Sequence, residues 1–165
     1  MNKKIQRNYL EITSITDLNE SSILTDGYTV QIIEPEDFQL NKFFYKNIGK
    51  NHHWIDRLIW TEKKWVEYVS DEKVKTYVLK KANELAGYFE LILHTDEVEI
   101  AYLGLLEEYQ NKKLGSFLLS SAIKNSFLKK PKRVWVHTCS LDHKNALNNY
   151  IARGMKIYKK ETITI

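Results

Sequence analysis

Cysteine is nearly missing from this chain: Cys139 stands alone, so no disulfide can form within it, and a disulfide-stapled scaffold is excluded. Proline is limited to Pro35 and Pro131, and no Pro/Gly/Ser-rich linker, repeat or low-complexity tract interrupts the 165 residues. Nothing marks an internal boundary, and a single domain spanning 1–165 is expected. A long apolar run is also lacking, as is a basic-then-apolar leader with a small-residue cleavage site, so no membrane contact is expected and a reducing cytoplasm is the natural location. The charge is not strongly one-sided. With 25 basic and 21 acidic residues the net charge is +4, and the basic residues are scattered, which falls short of a nucleic-acid footprint. Such an excess suits an anionic, phosphorylated ligand and equally suits a merely solvated surface.

What is present is ordinary globular material, 43% hydrophobic and 28% charged. Tyr9 to Ile15 and Tyr28 to Ile33 read as strands, and Glu36 to about Ile48 as a helix broken by Asn47 to Asn51. Trp54, Leu58, Trp65 and Val69 recur at spacings that predict further helix. Three strands follow, at Thr76 to Lys80, Leu85 to His94 and Val98 to Leu106. Leu114, Phe117, Leu118, Ser121 and Ala122 then form a helical stripe ending near Lys129-Lys130-Pro131. Arg133 to Cys139 is β-rich, and Asp142 is placed to cap a helix carrying Ala146, Leu147, Tyr150 and Ile151. That helix closes at Gly154, before a last strand or pair of strands from Met155 to Ile165. An antiparallel meander that acquires a late strand-helix-strand unit is an α+β plan.

One turn has the chemistry of an anion site. The strand ending Leu103-Gly104-Leu105-Leu106 passes through Glu107 to Lys113 into a helix beginning near Leu114, which brings free backbone NH groups and the positive end of a helix dipole to one spot. Gly115 lacks a Cβ, Ser116 offers a hydroxyl, and Lys112 and Lys113 add charge. A helix start with a glycine for close packing is the ordinary alternative.

The stretch Gln110-Asn111-Lys112-Lys113-Leu114-Gly115 resembles the Gln/Arg-x-x-Gly-x-Gly/Ala acetyl-CoA signature of the GNAT acetyltransferases. Asn145-Ala146-Leu147-Asn148-Asn149-Tyr150-Ile151-Ala152-Arg153-Gly154-Met155 is similar to the Asn-Ala-x-x-x-Tyr-x-x-x-Gly-Phe segment of the same family. Lys113 stands where the first glycine of the signature belongs, and lysine would be strained there if the position needs φ above zero.

The resemblance implies a mainly antiparallel central sheet flanked by helices and splayed between its fourth and fifth main strands. It implies acetyl-CoA as acetyl donor, held by Leu103, Gly104, Leu105, Gln110, Asn111, Lys112, Lys113, Leu114, Gly115, Ser116 and Asn145, with Gly104 as the site of a strand bulge. It makes Tyr150 the acid toward the CoA thiolate and Glu99 the base, directly or through water. An asparagine at position 145 is equally an ordinary helix-terminal residue, and Tyr150 an ordinary buried aromatic. Glu90 and Glu99 lie on adjacent strands amid apolar residues, a setting that makes a carboxylate a useful base and a pair of them suited to a cationic amine, with a solvent-facing strand glutamate as the ordinary alternative for Glu99; the resemblance also puts Trp54 and Arg57 where relatives place acceptor-binding helices, as candidates to line the amine pocket. Trp60 and Trp65 fall in the same region and are more simply core. His137, Cys139 and His143 are irregularly spaced and lack a fourth partner, so no metal is expected, and no histidine is placed to activate Cys139.

The leading expectation is direct acetyl transfer to a primary amine of a small molecule. A protein or peptide acceptor, or a non-catalytic acyl-CoA-binding module, are the alternatives. The β-rich C-terminal segment offers an edge that could pair in a homodimer.

Overall fold

A computed structural model describes residues 2–23 and 25–164; Ile165, expected in the last strand, lies outside them. Seven strands form one sheet in the order β2-β3-β4-β5-β6-β1-β7. They are β1 (Lys4–Ile12), β2 (Tyr28–Ile32), β3 (Val74–Lys81), β4 (Glu84–Leu93), β5 (Glu97–Leu105), β6 (Arg133–Cys139) and β7 (Lys156–Thr164). Four helices flank the sheet: α1 (Phe38–Gly49), α2 (Glu62–Ser70), α3 (Leu114–Phe127) and α4 (Ala146–Ala152). Five neighbouring pairs are antiparallel and β5–β6 is parallel, the α+β plan expected. No helix among the described residues is long and apolar enough to cross a membrane.

Local chemistry accounts for most element ends. Asp37 caps α1 by accepting from the Gln39 amide (3.0 Å), and Thr61 caps α2 by accepting from Lys64 (3.2 Å). On α1 the buried residues Asn41, Phe44, Tyr45 and Ile48 fall at the i, i+3, i+4, i+7 spacing. Phe44 stacks on Tyr88 of β4 at 4.7 Å between ring centres, and each such side chain removed from water contributes about 1.5–3 kcal/mol. Gly154, with φ +107°, ends α4; a Cβ there would collide with the Asp17 carbonyl.

Four expectations are corrected. β1 runs Lys4–Ile12 rather than Tyr9 to Ile15, because Lys4 to Glu11 pair with β7 and Arg7 to Ile12 with β6, and Ile15–Asp17 is a 3-10 turn. The helix expected from Trp54 begins only at Glu62: His53 is left-handed (φ 61°), the chain folds back on Gly49, and Ile55, Leu58 and Ile59 face solvent. Asp142 does not cap α4; its carboxylate accepts from the Thr138 hydroxyl and the Cys139 amide, and Asn145 takes the cap position. The β4–β5 bulge falls between Glu90 and Leu91, making Ala101 the extra residue on β5, whereas Gly104 pairs regularly with Tyr88. Gly104 is small for another reason: a Cβ would approach the Ile48 Cγ2 to 2.7 Å and hold α1 off the sheet.

Candidate active site

The parallel β5–β6 ladder has only three rungs, Glu97–Arg133, Val98–Val134 and Glu99–Trp135. Beyond them β5 continues to Leu105 and β6 to Cys139 without pairing to each other, so the strands part as expected and leave the β6-facing backbone edge of 101–105 open to a ligand. A cleft of about 1170 Å³ occupies the opening.

One end of the cleft is built by the turn into α3. Asn111 (φ 62°) and Lys113 (φ 64°) are both left-handed, and Lys113 is the N-cap of α3 without any side-chain capping bond. The first amides of α3 therefore have neither an intrahelical nor a side-chain acceptor, which is the electrostatic signature of an anion site. The Gln110 side chain donates to the Leu105 carbonyl (3.2 Å) and ties the turn to β5. Gly115 lies on the wall with its carbonyl held by Asn149 Nδ2 of α4 (3.0 Å), and Ser116 Oγ meets Ser21 Oγ (2.8 Å). Residues 19–23 thereby form part of the wall, which sequence reasoning missed because a polar connector has no periodicity to betray it. Two candidates from the signature are not on the wall: Leu114 is buried in the core, and Lys112 leans over the Tyr109 ring at 5.7 Å.

Tyr150 and Asn145, from α4 and its cap, line the cleft. Burial raises the Tyr150 pKa, and the Asp142 charge raises it further, so the phenol keeps its proton at neutral pH. Burial also pushes the Cys139 thiol up, with Asp142 adding to the effect, which disfavours a thiolate there.

The wall also holds Glu99, Trp54, Arg57 and, unanticipated from sequence, Asp56 and His52. Glu99 Oε1 lies 3.0 Å from His94 Nε2. Trp54 packs on Tyr102 at 4.7 Å between ring centres. Glu90, the other carboxylate expected to face an amine, is fully buried off the wall, with the Arg57 guanidinium on it at 3.0 Å. Alternation along β4 could not reveal this, since six successive residues of that strand are buried. His52 is half-buried against His143 (5.9 Å between rings), and burial first, then the neighbouring imidazole, lower its pKa. Among the described residues no group of His, Cys, Asp and Glu side chains is arranged to hold a metal ion.

A family model described as the Acetyltransferase (GNAT) family matches residues 35–155. No curated protein sequence matches the chain. Among solved structures the chain is similar to a GCN5-related N-acetyltransferase from Sphaerobacter thermophilus (TM-score 0.72, 13% identity, 97% of this chain and 50% of that one). It is similar to the aminoglycoside acetyltransferase meta-AAC0020 from an uncultured soil metagenomic sample (TM-score 0.66, 13% identity, 78% and 88%). It is also similar to the ribosomal-protein-S18-alanine N-acetyltransferase from Escherichia coli (TM-score 0.60, 15% identity, 84% and 94%). Three of the matched structures are longer proteins, of which the chain spans 62%, 50% and 58%. At these identities the structural likeness is one of fold, whereas the family model covers most of the sequence and both motif segments. The chain belongs to the acetyltransferase (GNAT) family.

Proposed function

We propose that the protein is an N-acetyltransferase that moves an acetyl group from acetyl-CoA to a primary amine of a small molecule, by direct transfer with both bound. The observation that carries this is the three-rung β5–β6 ladder, beyond which an open strand edge, an uncapped helix start and a protonated tyrosine line one cleft.

The residues fit acetyl-CoA. The amides at the start of α3, with the Lys113 ammonium nearby, suit its pyrophosphate, and the open edge of 101–105 can pair with the amides of its pantetheine arm. When bound, acetyl-CoA supplies an acyl group already activated as a thioester. An amide NH of the 101–105 edge is placed to polarise that carbonyl. Glu99 receives the proton of the amine, directly or through water, and the His94 contact fixes the carboxylate. The Tyr150 hydroxyl holds the proton needed by the departing thiolate. With Cys139 kept as a thiol, an acetyl-cysteine relay is disfavoured and direct transfer is favoured. Asp56 and Glu99 put two carboxylates on the wall of the amine end, which suits a cationic acceptor.

The test is free-thiol release by purified protein with acetyl-CoA and a broad panel of amines. Turnover that falls about 10²- to 10⁴-fold in Tyr150→Phe, with acetyl-CoA affinity kept within twofold, is the expected result. Acetyl-CoA binding without turnover on any amine of the panel would overturn the catalytic reading in favour of a binding module.

A further inference from the structure

The loop at residues 50–61, between α1 and α2, carries Trp54 and Asp56 to the wall of the cleft but contains no helix or strand. Arg57 fastens it. The side chain is 7% exposed, and its Nη1 lies 3.0 and 3.2 Å from the two carboxylate oxygens of Glu90 on β4. Two more donors complete the carboxylate, Asn41 Nδ2 of α1 (2.9 Å) and the Tyr68 hydroxyl of α2 (2.6 Å). The guanidinium sits within 4.2–5.7 Å of the ring centres of Tyr45, Trp60, Trp65, Tyr68 and Tyr102. The Arg57 amide donates to the Tyr45 hydroxyl (3.0 Å), so backbone and side chain are both held.

A buried ion pair is a poor way to gain stability, because desolvation offsets most of its attraction and well-packed apolar side chains usually do as well. What it supplies is direction: a guanidinium ringed by aromatics and facing a fully ligated carboxylate has one place to sit. That place adjoins the open segment of β5. Tyr102 belongs both to the aromatic cage and to the open segment of β5, one residue before Leu103. The cage therefore joins the wall that faces the amine to the strand that faces the donor.

We propose that the Arg57–Glu90 pair is a positioning device, which sets the 50–61 loop against Tyr102 of β5 and so fixes the distance between the bound amine and the acyl donor. Arg57 acts through Trp54 and Asp56, not by touching the substrate. Its kinetic consequence rests on the transferase reading above; its structural consequence does not.

The experiment compares the wild type with Arg57→Met, Arg57→Lys and the double variant Arg57→Met/Glu90→Gln, whose amide oxygen still accepts from Asn41 and Tyr68, by amide hydrogen exchange, by thermal melting and by steady-state kinetics. In Arg57→Met, exchange across residues 50–61 is expected to accelerate tenfold or more while residues 114–127 are unchanged. The amine KM is expected to rise tenfold or more with acetyl-CoA affinity kept within twofold, and Arg57→Lys to fall between. The double variant leaves no unpaired buried charge, so it folds even where Arg57→Met does not. It is expected to recover the wild-type melting temperature without recovering the loop protection or the amine KM. Recovery of all three in the double variant would make the pair merely structural, and unaltered or uniformly increased exchange would likewise overturn the proposal. A wild type with no turnover on any amine would sink the transferase reading, while loop-confined exchange would still sustain the positioning role.

Discussion

Lys113 gives the most direct quantitative test of how the α3 turn is built. It holds φ 64° and ψ 11° at the N-cap of α3, a conformation that costs an L side chain about 1–2 kcal/mol. Replacing it by alanine keeps that strain and removes the ammonium; replacing it by glycine removes both. Glycine recovers the steric term but gives back about 0.4–1 kcal/mol through the greater freedom of its unfolded chain. The net advantage of Lys113→Gly over Lys113→Ala is therefore about 0.5–1 kcal/mol, or about 1–4 °C in melting temperature at this chain length. Scanning calorimetry of the two variants without ligand reads the difference. Lys113→Gly melting at or below Lys113→Ala would refute the left-handed turn. The charge is read separately: Lys113 is exposed, so its attraction to a pyrophosphate is worth up to about 1 kcal/mol, about fivefold in Kd. Both variants should lose that factor for acetyl-CoA at low salt and converge with the wild type at high salt. Affinity equal to the wild type at low salt would remove Lys113 from the cofactor site.

Two glycines and one histidine extend the test. Gly104→Ala should destabilise by about 1–3 kcal/mol, since the new methyl would collide with Ile48, itself packed in the core; a melting temperature equal to the wild type would contradict that packing. Gly115→Ala meets only Asn149 Nδ2 at an ordinary 3.6 Å and should leave melting unchanged or raise it, yet weaken acetyl-CoA by occupying the cleft; equal affinity would place the ligand elsewhere. His52 should titrate below the usual imidazole value of about 6.5 by NMR, and His143→Gln should raise it only part of the way, because burial is the larger cause. A histidine lowered on folding is neutral in the native state while its unfolded counterpart takes up a proton. The stability it contributes is therefore complete above about pH 6.5 and is lost as pH falls through the native pKa, a dependence that His52→Gln should flatten.

The order of strands and helices, the turn into α3 and the helix that carries Tyr150 were legible in the sequence because each rests on neighbours close along the chain: periodicity on α1, alternation on β3, a turn feeding α3. Helix was wrongly expected from Trp54 because aromatic spacing there serves two partners, the cage around Arg57 and the face of Tyr102, rather than one helix face. From sequence Glu90 looks free to meet a substrate, since a single strand cannot show that a guanidinium 33 positions earlier will lie 3.0 Å from it.

The sequence by itself thus determined the family's elements and the turn into α3, both of which depend on local backbone chemistry. Only the tertiary structure decided where β5 and β6 part, that the bulge falls at Ala101, and that Arg57 and Glu90 satisfy each other instead of an amine. Those features depend on which distant groups meet when water is excluded, and burial makes each unpaired charge so costly that its partner, once met, fixes its role.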